Sequence, residues 1–213
     1  MKQSILPLLI SLFLSPWATG QSPQEIQLPQ PQKTGGMPLM EAFQNRHSQR
    51  SFSEQELPLQ TLSNLLWAAY GVNREGGKRT VPSAMGWNEF DIYLIKPGEW
   101  EIYHPLNHTL QKGGNEDLRQ WACTQEYGQT APLNLVFVAD FSRMENADEE
   151  EKNLYSAMDV GFISQNVYLF CASQGLATVV RASVDRTTLR EKLNLKPHQH
   201  ILLGQTVGYP KNQ

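Results

Sequence analysis

The sequence predicts an α+β fold: a mixed sheet flanked by helices. Three observations predict it. Helical and strand patterns alternate unevenly, not in the strict strand–helix rhythm of a doubly wound fold. Phe90-Asp91-Ile92-Tyr93-Leu94-Ile95 alternates as a strand, and the turn at Pro97-Gly98 returns the chain through Trp100 to Tyr103, an antiparallel hairpin. Leu154 to Gln174 is apolar on nearly every side (Met158, Val160, Phe162, Ile163, Val167, Leu169 and Phe170), which marks a buried helix.

The elements follow in order. Met1 to Gly20 reads as a signal peptide outside the fold. Lys2 gives a positive n-region, Ile5 to Leu14 an apolar run, and Ala18-Thr19-Gly20 a small-x-small cleavage site. The run is too short to span a bilayer, so a mature chain beginning at Gln21 is expected in a periplasmic or secreted location, with no membrane span. Residues 21–36 are rich in Pro and Gln and include Gly35-Gly36, so they read as an extended arm without packed structure. Residues 37–213 form one domain, and a chain of 213 residues is ample for a single core.

Within that domain Pro38 opens a helix carrying Leu39, Met40, Ala42 and Phe43. Leu57-Pro58 opens a second, with Leu59, Leu62, Leu65, Leu66 and Ala69 on one face and Gly71 at its end. Asn73 to Arg79 is polar and glycine-rich, a mobile loop. The hairpin comes next, then a helix at Glu116 to Cys123. Leu133 to Ala139 is an unbroken apolar run of strand length, hence a central strand. The acidic run Asp148 to Glu151 suits the start of the long helix, where carboxylates meet the positive end of the dipole. Gly175 caps that helix. Leu176 to Val180 is a strand, Asp185 caps a short helix over Leu189 to Leu193, and Ile201 to Val207 is the last strand.

Composition removes several classes of function. A net charge of -3 and a pI near 6.0 leave no basic footprint for nucleic acid. The five histidines are scattered, and neither Cys-x-x-Cys nor His-Glu-x-x-His occurs, so no metal site is expected. Cys123 and Cys171 lie in apolar helical patterns and are expected as two unpaired thiols, although an oxidising compartment would permit a disulfide.

One stretch carries chemistry: Arg46-His47-Ser48-Gln49-Arg50-Ser51-Phe52. Arginines four apart share a face on a helical or an extended turn, with the Ser48 hydroxyl between them. Planar, permanently charged guanidinium forks suit phosphate oxygens. Paired arginines also serve as solvated surface or as carboxylate partners, and the stretch alone leaves those readings open.

The order of motifs decides among them. The arginine stretch is followed by Leu65-Leu66-Trp67-Ala68-Ala69-Tyr70-Gly71, then Arg79-Thr80-Val81-Pro82-Ser83-Ala84. Asp159-Val160-Gly161 with Gln165-Asn166, Gly175-Leu176 and Val207-Gly208-Tyr209-Pro210 complete the series. This order resembles the nitroreductase family of flavin enzymes over Pro38 to Pro210, and most closely its azoline (thiazole/oxazole) dehydrogenase-like branch. The resemblance implies a mixed, mainly antiparallel sheet flanked by helices, and a homodimer that binds FMN in clefts built by both subunits. It implies that Arg46, Ser48 and Arg50 hold the FMN phosphate and ribityl region, with the His47 backbone passing under the flavin. Pro82, Ser83, Ala84 and Met85 would line the isoalloxazine ring. Arg181 and Ala182 fall where the family presents a backbone N–H to flavin N5, and Lys211 would stand in for a basic C-terminal tail. Arg181, charged in an apolar stretch, is expected to meet an anion: flavin, NAD(P)H phosphate, acidic substrate or a carboxylate. No catalytic side chain is identified.

The activity implied is that of an exported FMN-dependent oxidoreductase. It would take electrons from NAD(P)H or another reduced donor to a small nitro, quinone or related acceptor by a ping-pong cycle. Two other readings stand beside it: an azoline-type peptide dehydrogenase, and a non-catalytic flavin-binding module.

Overall fold

The computed structural model describes residues 24–211, so the expected signal peptide lies outside the described residues. Seven strands make one sheet: β1 (Glu25–Gln27), β2 (Phe90–Lys96), β3 (Glu99–His104), β4 (Thr109–Gly114), β5 (Leu133–Asp140), β6 (Ala177–Arg181) and β7 (Gln199–Gly208). Their order is β1-β4-β3-β2-β5-β7-β6. The expected sheet was mixed and mainly antiparallel, and every pairing among these described strands is antiparallel.

Among the described residues six α-helices flank it: α1 (Leu39–Asn45), α2 (Leu59–Tyr70), α3 (Arg119–Ala122), α4 (Glu126–Thr130), α5 (Glu149–Gln174) and α6 (Arg186–Lys192). The central β5 is buried at every position because both faces are covered. On one face Leu135 and Phe137 meet Leu65 and Leu66 of α2 and Val160, Ile163 and Val167 of α5. On the other, Val136 and Val138 pack with Leu118, Ala122 and Leu189 around α3 and α6. Cys123 and Cys171 are both buried and free.

Local chemistry fixes the long helix at both ends. The Asp148 side chain accepts from Glu151 N, and the Glu151 side chain accepts from Asp148 N, a reciprocal cap on two otherwise unpaired donors. Gly175 ends it in the left-handed region at φ 66°, where a Cβ would be strained.

Three expectations need correction. The described part of the expected arm, residues 24–36, is not free of packed structure, because β1 pairs with β4 and Leu28 is buried. The strand β4 itself went unread, since Thr109-Leu110-Gln111-Lys112-Gly113-Gly114 has only one large apolar residue. The third concerns α5. It is not buried all round: Leu154 (50% exposed), Met158 (50%) and Phe162 (45%) face outward, and Leu39, Met40 and Phe43 of α1, which packs toward the C-terminal end of α5, are exposed too.

Candidate active site

The arginine stretch leaves the end of α1 and runs along the free edge of β6. Gln49 N–H donates to Thr178 O at 2.9 Å, which ties the stretch to that edge. Ser48 Oγ lies 2.7 Å from the Tyr168 hydroxyl of α5, and the same hydroxyl accepts from Val180 N at 3.0 Å. The Arg46 guanidinium sits over the Tyr168 ring, 5.3 Å from its centroid. His47 is exposed, its Nδ1 2.7 Å from Asn45 O. Lys211 N–H donates to Ser51 O at 3.2 Å, which sets the C-terminal lysine beside Arg50 in the chain path. Among the described residues neither Arg46 nor Arg50 forms an ion pair. Guanidinium groups so left are available to an external anion, which is the fit that a phosphate ester requires.

Residues on β6 alternate between its neighbour and its open edge. Thr178 and Val180 use the open edge, while the Arg181 N–H is turned into the ladder with β7; Ala182 follows the last residue of the strand and is exposed. Of the two residues expected to present an amide, Arg181 has its N–H committed to the sheet. The Arg181 side chain does not reach the clamp either. It is buried against β5, where Nη2 donates to Asn134 Oδ1, and meets no carboxylate among the described residues. Burial holds its pKa down. Gly204 makes this possible, because a Cβ there would come within 2.0 Å of Arg181 Nη1.

The Pro82–Met85 segment lies elsewhere. Ala84 N–H donates to Asp159 Oδ2 of α5 at 2.9 Å, and Asn88 N–H to Ser83 Oγ at 2.9 Å. Met85 (φ 50°) and Asn88 (φ 49°) hold left-handed backbone without being glycine, local strain that these bonds maintain. Met85 is 84% exposed. Beneath the loop Glu89, wholly buried, points one oxygen at Ser83 Oγ (3.4 Å), while its Oε1 has no partner. Burial pushes the Glu89 carboxyl up to about 7, with the nearby Asp159 charge adding to the rise. Burial raises Asp159 as well.

Asp159 and Tyr168 are nine residues apart on α5. At 3.6 residues per turn they stand roughly 180° apart around the helix and about 13 Å apart along it. One chain therefore carries the arginine clamp on one flank of α5 and the Pro-Ser-Ala loop on the other, with the exposed Leu154–Met158–Phe162 strip between them. Arg46 and Ser48 meet at Tyr168, Arg50 lies toward Tyr127, and the loop residues gather at Asp159 on the other flank of the helix.

Sequence reasoning gave no role to Tyr168, Glu89 or Asp159. An aromatic in a greasy helix looks like core, and a lone acid before a strand has no motif. The polar position of Asp159 amid apolar neighbours was the one available signal.

Comparison with known proteins follows from this geometry. The nitroreductase family model matches residues 43–209. The chain belongs to the nitroreductase family. A Ralstonia eutropha protein described as a nitroreductase superposes with TM-score 0.85 at 42% identity, over 92% of this chain and 94% of that one. A nitroreductase-family protein of Methanocaldococcus jannaschii is 32% identical over 190 residues, 84% of this chain and 94% of the relative. The fold is also that of the NADPH:FMN oxidoreductase of Vibrio harveyi, solved with NAD+, at TM-score 0.61 and 21% identity over 82% of this chain and 69% of that one. As a nitroreductase-family chain the protein is an oxidoreductase, with FMN as its cofactor.

Proposed function

We propose that the chain is an exported homodimeric oxidoreductase that uses FMN to carry electrons from NAD(P)H or another reduced donor to a small nitro, quinone or related acceptor. One observation carries the reading: two half-sites on opposite flanks of α5, parted by an apolar strip. A second copy packed on that strip about a two-fold axis would set the clamp of each chain against the loop of the other, because such an interface joins the same surface to itself. Burying Leu154, Met158 and Phe162 with the α1 residues gives the association its driving force.

Bound FMN supplies hydride and electron transfer, which a ping-pong cycle divides between donor and acceptor. The protein binds and orients. Arg46 and Arg50, with Lys211, neutralise the phosphate, and Ser48 adds a neutral donor. The N–H of Ala182, just past the end of β6, would offer a fixed dipole to the ring. Pro82 to Met85 supply small, closely spaced backbone against a flat surface, and exposed Met85 narrows the side where an acceptor would lie. With no assigned acid or base, solvent supplies the protons. Placement near the azoline dehydrogenase-like branch rests on motif order, and we extend it to the branch alone, without a peptide substrate.

The test begins with colour. Purified protein is expected to be yellow and to release FMN on denaturation, and to oxidise NAD(P)H or another donor with a nitroaromatic or quinone acceptor. A colourless protein that takes up no FMN overturns the proposal, and bound flavin with no turnover across a donor panel favours the non-catalytic module. Arg46→Ala with Arg50→Ala removes two charge-assisted contacts of roughly 1.5–3 kcal/mol each, so FMN binding should weaken by about a hundredfold or more. For export, the secreted or periplasmic protein should have the mass of a chain beginning at Gln21.

A further inference from the structure

The Tyr168 hydroxyl stands at the junction of everything on the clamp flank. It is buried, touches Ser48 Oγ at 2.7 Å and Val180 N at 3.0 Å, and its ring carries the Arg46 guanidinium. The direction of these bonds follows from the donor inventory. A backbone N–H can only donate, so the phenol oxygen accepts from Val180. A phenol has one proton to give, and Ser48 Oγ is its other neighbour. If the phenol donates to Ser48, the serine proton turns outward, toward exposed solvent and any ligand between the arginines. The reverse arrangement would aim serine lone pairs at an anionic oxygen, which repels it.

We propose that Tyr168 is a positioning residue for the phosphate or polyol end of the flavin nucleotide: it accepts from Val180, donates to Ser48, and so presents the Ser48 proton and the Arg46 guanidinium to one ligand oxygen cluster. The proposal rests on the FMN reading above. It also joins two parts of the site, because Val180 lies two residues before Ala182, which follows the end of β6. Tension at the clamp is thereby passed to the strand that offers the ring its amide.

The experiment is a double-mutant cycle read by FMN titration. Tyr168→Phe deletes one oxygen and keeps the ring under Arg46. Tyr168→Phe and Ser48→Ala should each weaken FMN binding about tenfold, the effect of one hydrogen bond to a charged group. The double variant should lose about tenfold as well, since both changes remove the same outward proton. Additive losses of about a hundredfold, or unchanged affinity in Tyr168→Phe, overturn the proposal while leaving the FMN reading intact. A wild-type protein that binds no FMN overturns both. If Tyr168→Phe does not fold, hydrogen exchange on the wild-type protein decides. The Val180 amide should exchange more slowly once FMN binds, and unchanged protection overturns the coupling.

Discussion

Glu89 is a buried carboxylic acid that forms no ion pair among the described residues. It begins β2 fully buried, shares Ser83 with the loop above, and keeps one oxygen unpartnered. Burial raises its pKa from 4.5 to about 7, so the folded chain holds this proton more tightly than the unfolded chain does. The resulting stabilisation is complete below about pH 4.5 and is lost as the pH rises through about 7. A shift of that size corresponds to roughly 3 kcal/mol. Glu89→Gln keeps the shape and removes the titration. Melting temperatures measured across this range should fall with rising pH in the wild type and stay nearly level in the variant. Parallel curves would assign the pH dependence to other groups. The same proton matters locally: once Glu89 ionises, its charge faces that of Asp159, the residue that holds Ala84, and the loop loses part of its anchoring.

At the level of the element, α5 has two apolar faces with different destinations. Val160, Ile163, Val167 and Cys171 enter the core, while Leu154, Met158 and Phe162, at i, i+4 and i+8, remain outside. A sequence pattern cannot tell the two apart, because the hydrophobic effect that buries a side chain in its own core is the one that buries it against a partner. The uniform greasiness of this helix therefore fits a dimer core and burial within one subunit equally well. Phe162→Glu puts a charge in the middle of the strip. We expect a monomer by sedimentation with helix content retained, and weaker FMN binding in step with dissociation. Leu106→Glu, at an exposed leucine off the strip, is the control and should stay dimeric. A Phe162→Glu dimer of unchanged affinity would exclude α5 as the contact.

For the whole molecule, the parts legible in the sequence were those with a local cause. Alternation announced the β2–β3 hairpin, an unbroken apolar run announced β5, and the carboxylates at Asp148 and Glu151 announced the start of α5. The arginine stretch was legible as chemistry because two guanidiniums and a hydroxyl share a short spacing. What stayed hidden depends on partners distant in the chain. β1 is a strand because β4 lies beside it, and Arg181 is turned inward because Gly204, on the neighbouring strand, leaves room for it. Tyr168 gained meaning only when Ser48, some 120 positions earlier, was folded against it.

In the proposed dimer, dividing the pocket between the two sides of one helix has a genetic corollary. A subunit crippled by Arg46→Ala and Arg50→Ala still offers a sound loop, and one crippled by Asp159→Ala still offers a sound grip on phosphate. Either parent alone is defective at both of its pockets. Co-expressed and randomly assorted, half of the pairs are hybrids, each with one pocket free of lesions and one that bears them all. About a quarter of wild-type turnover should then reappear from two inactive parents, a rescue in trans that a self-sufficient subunit could never produce.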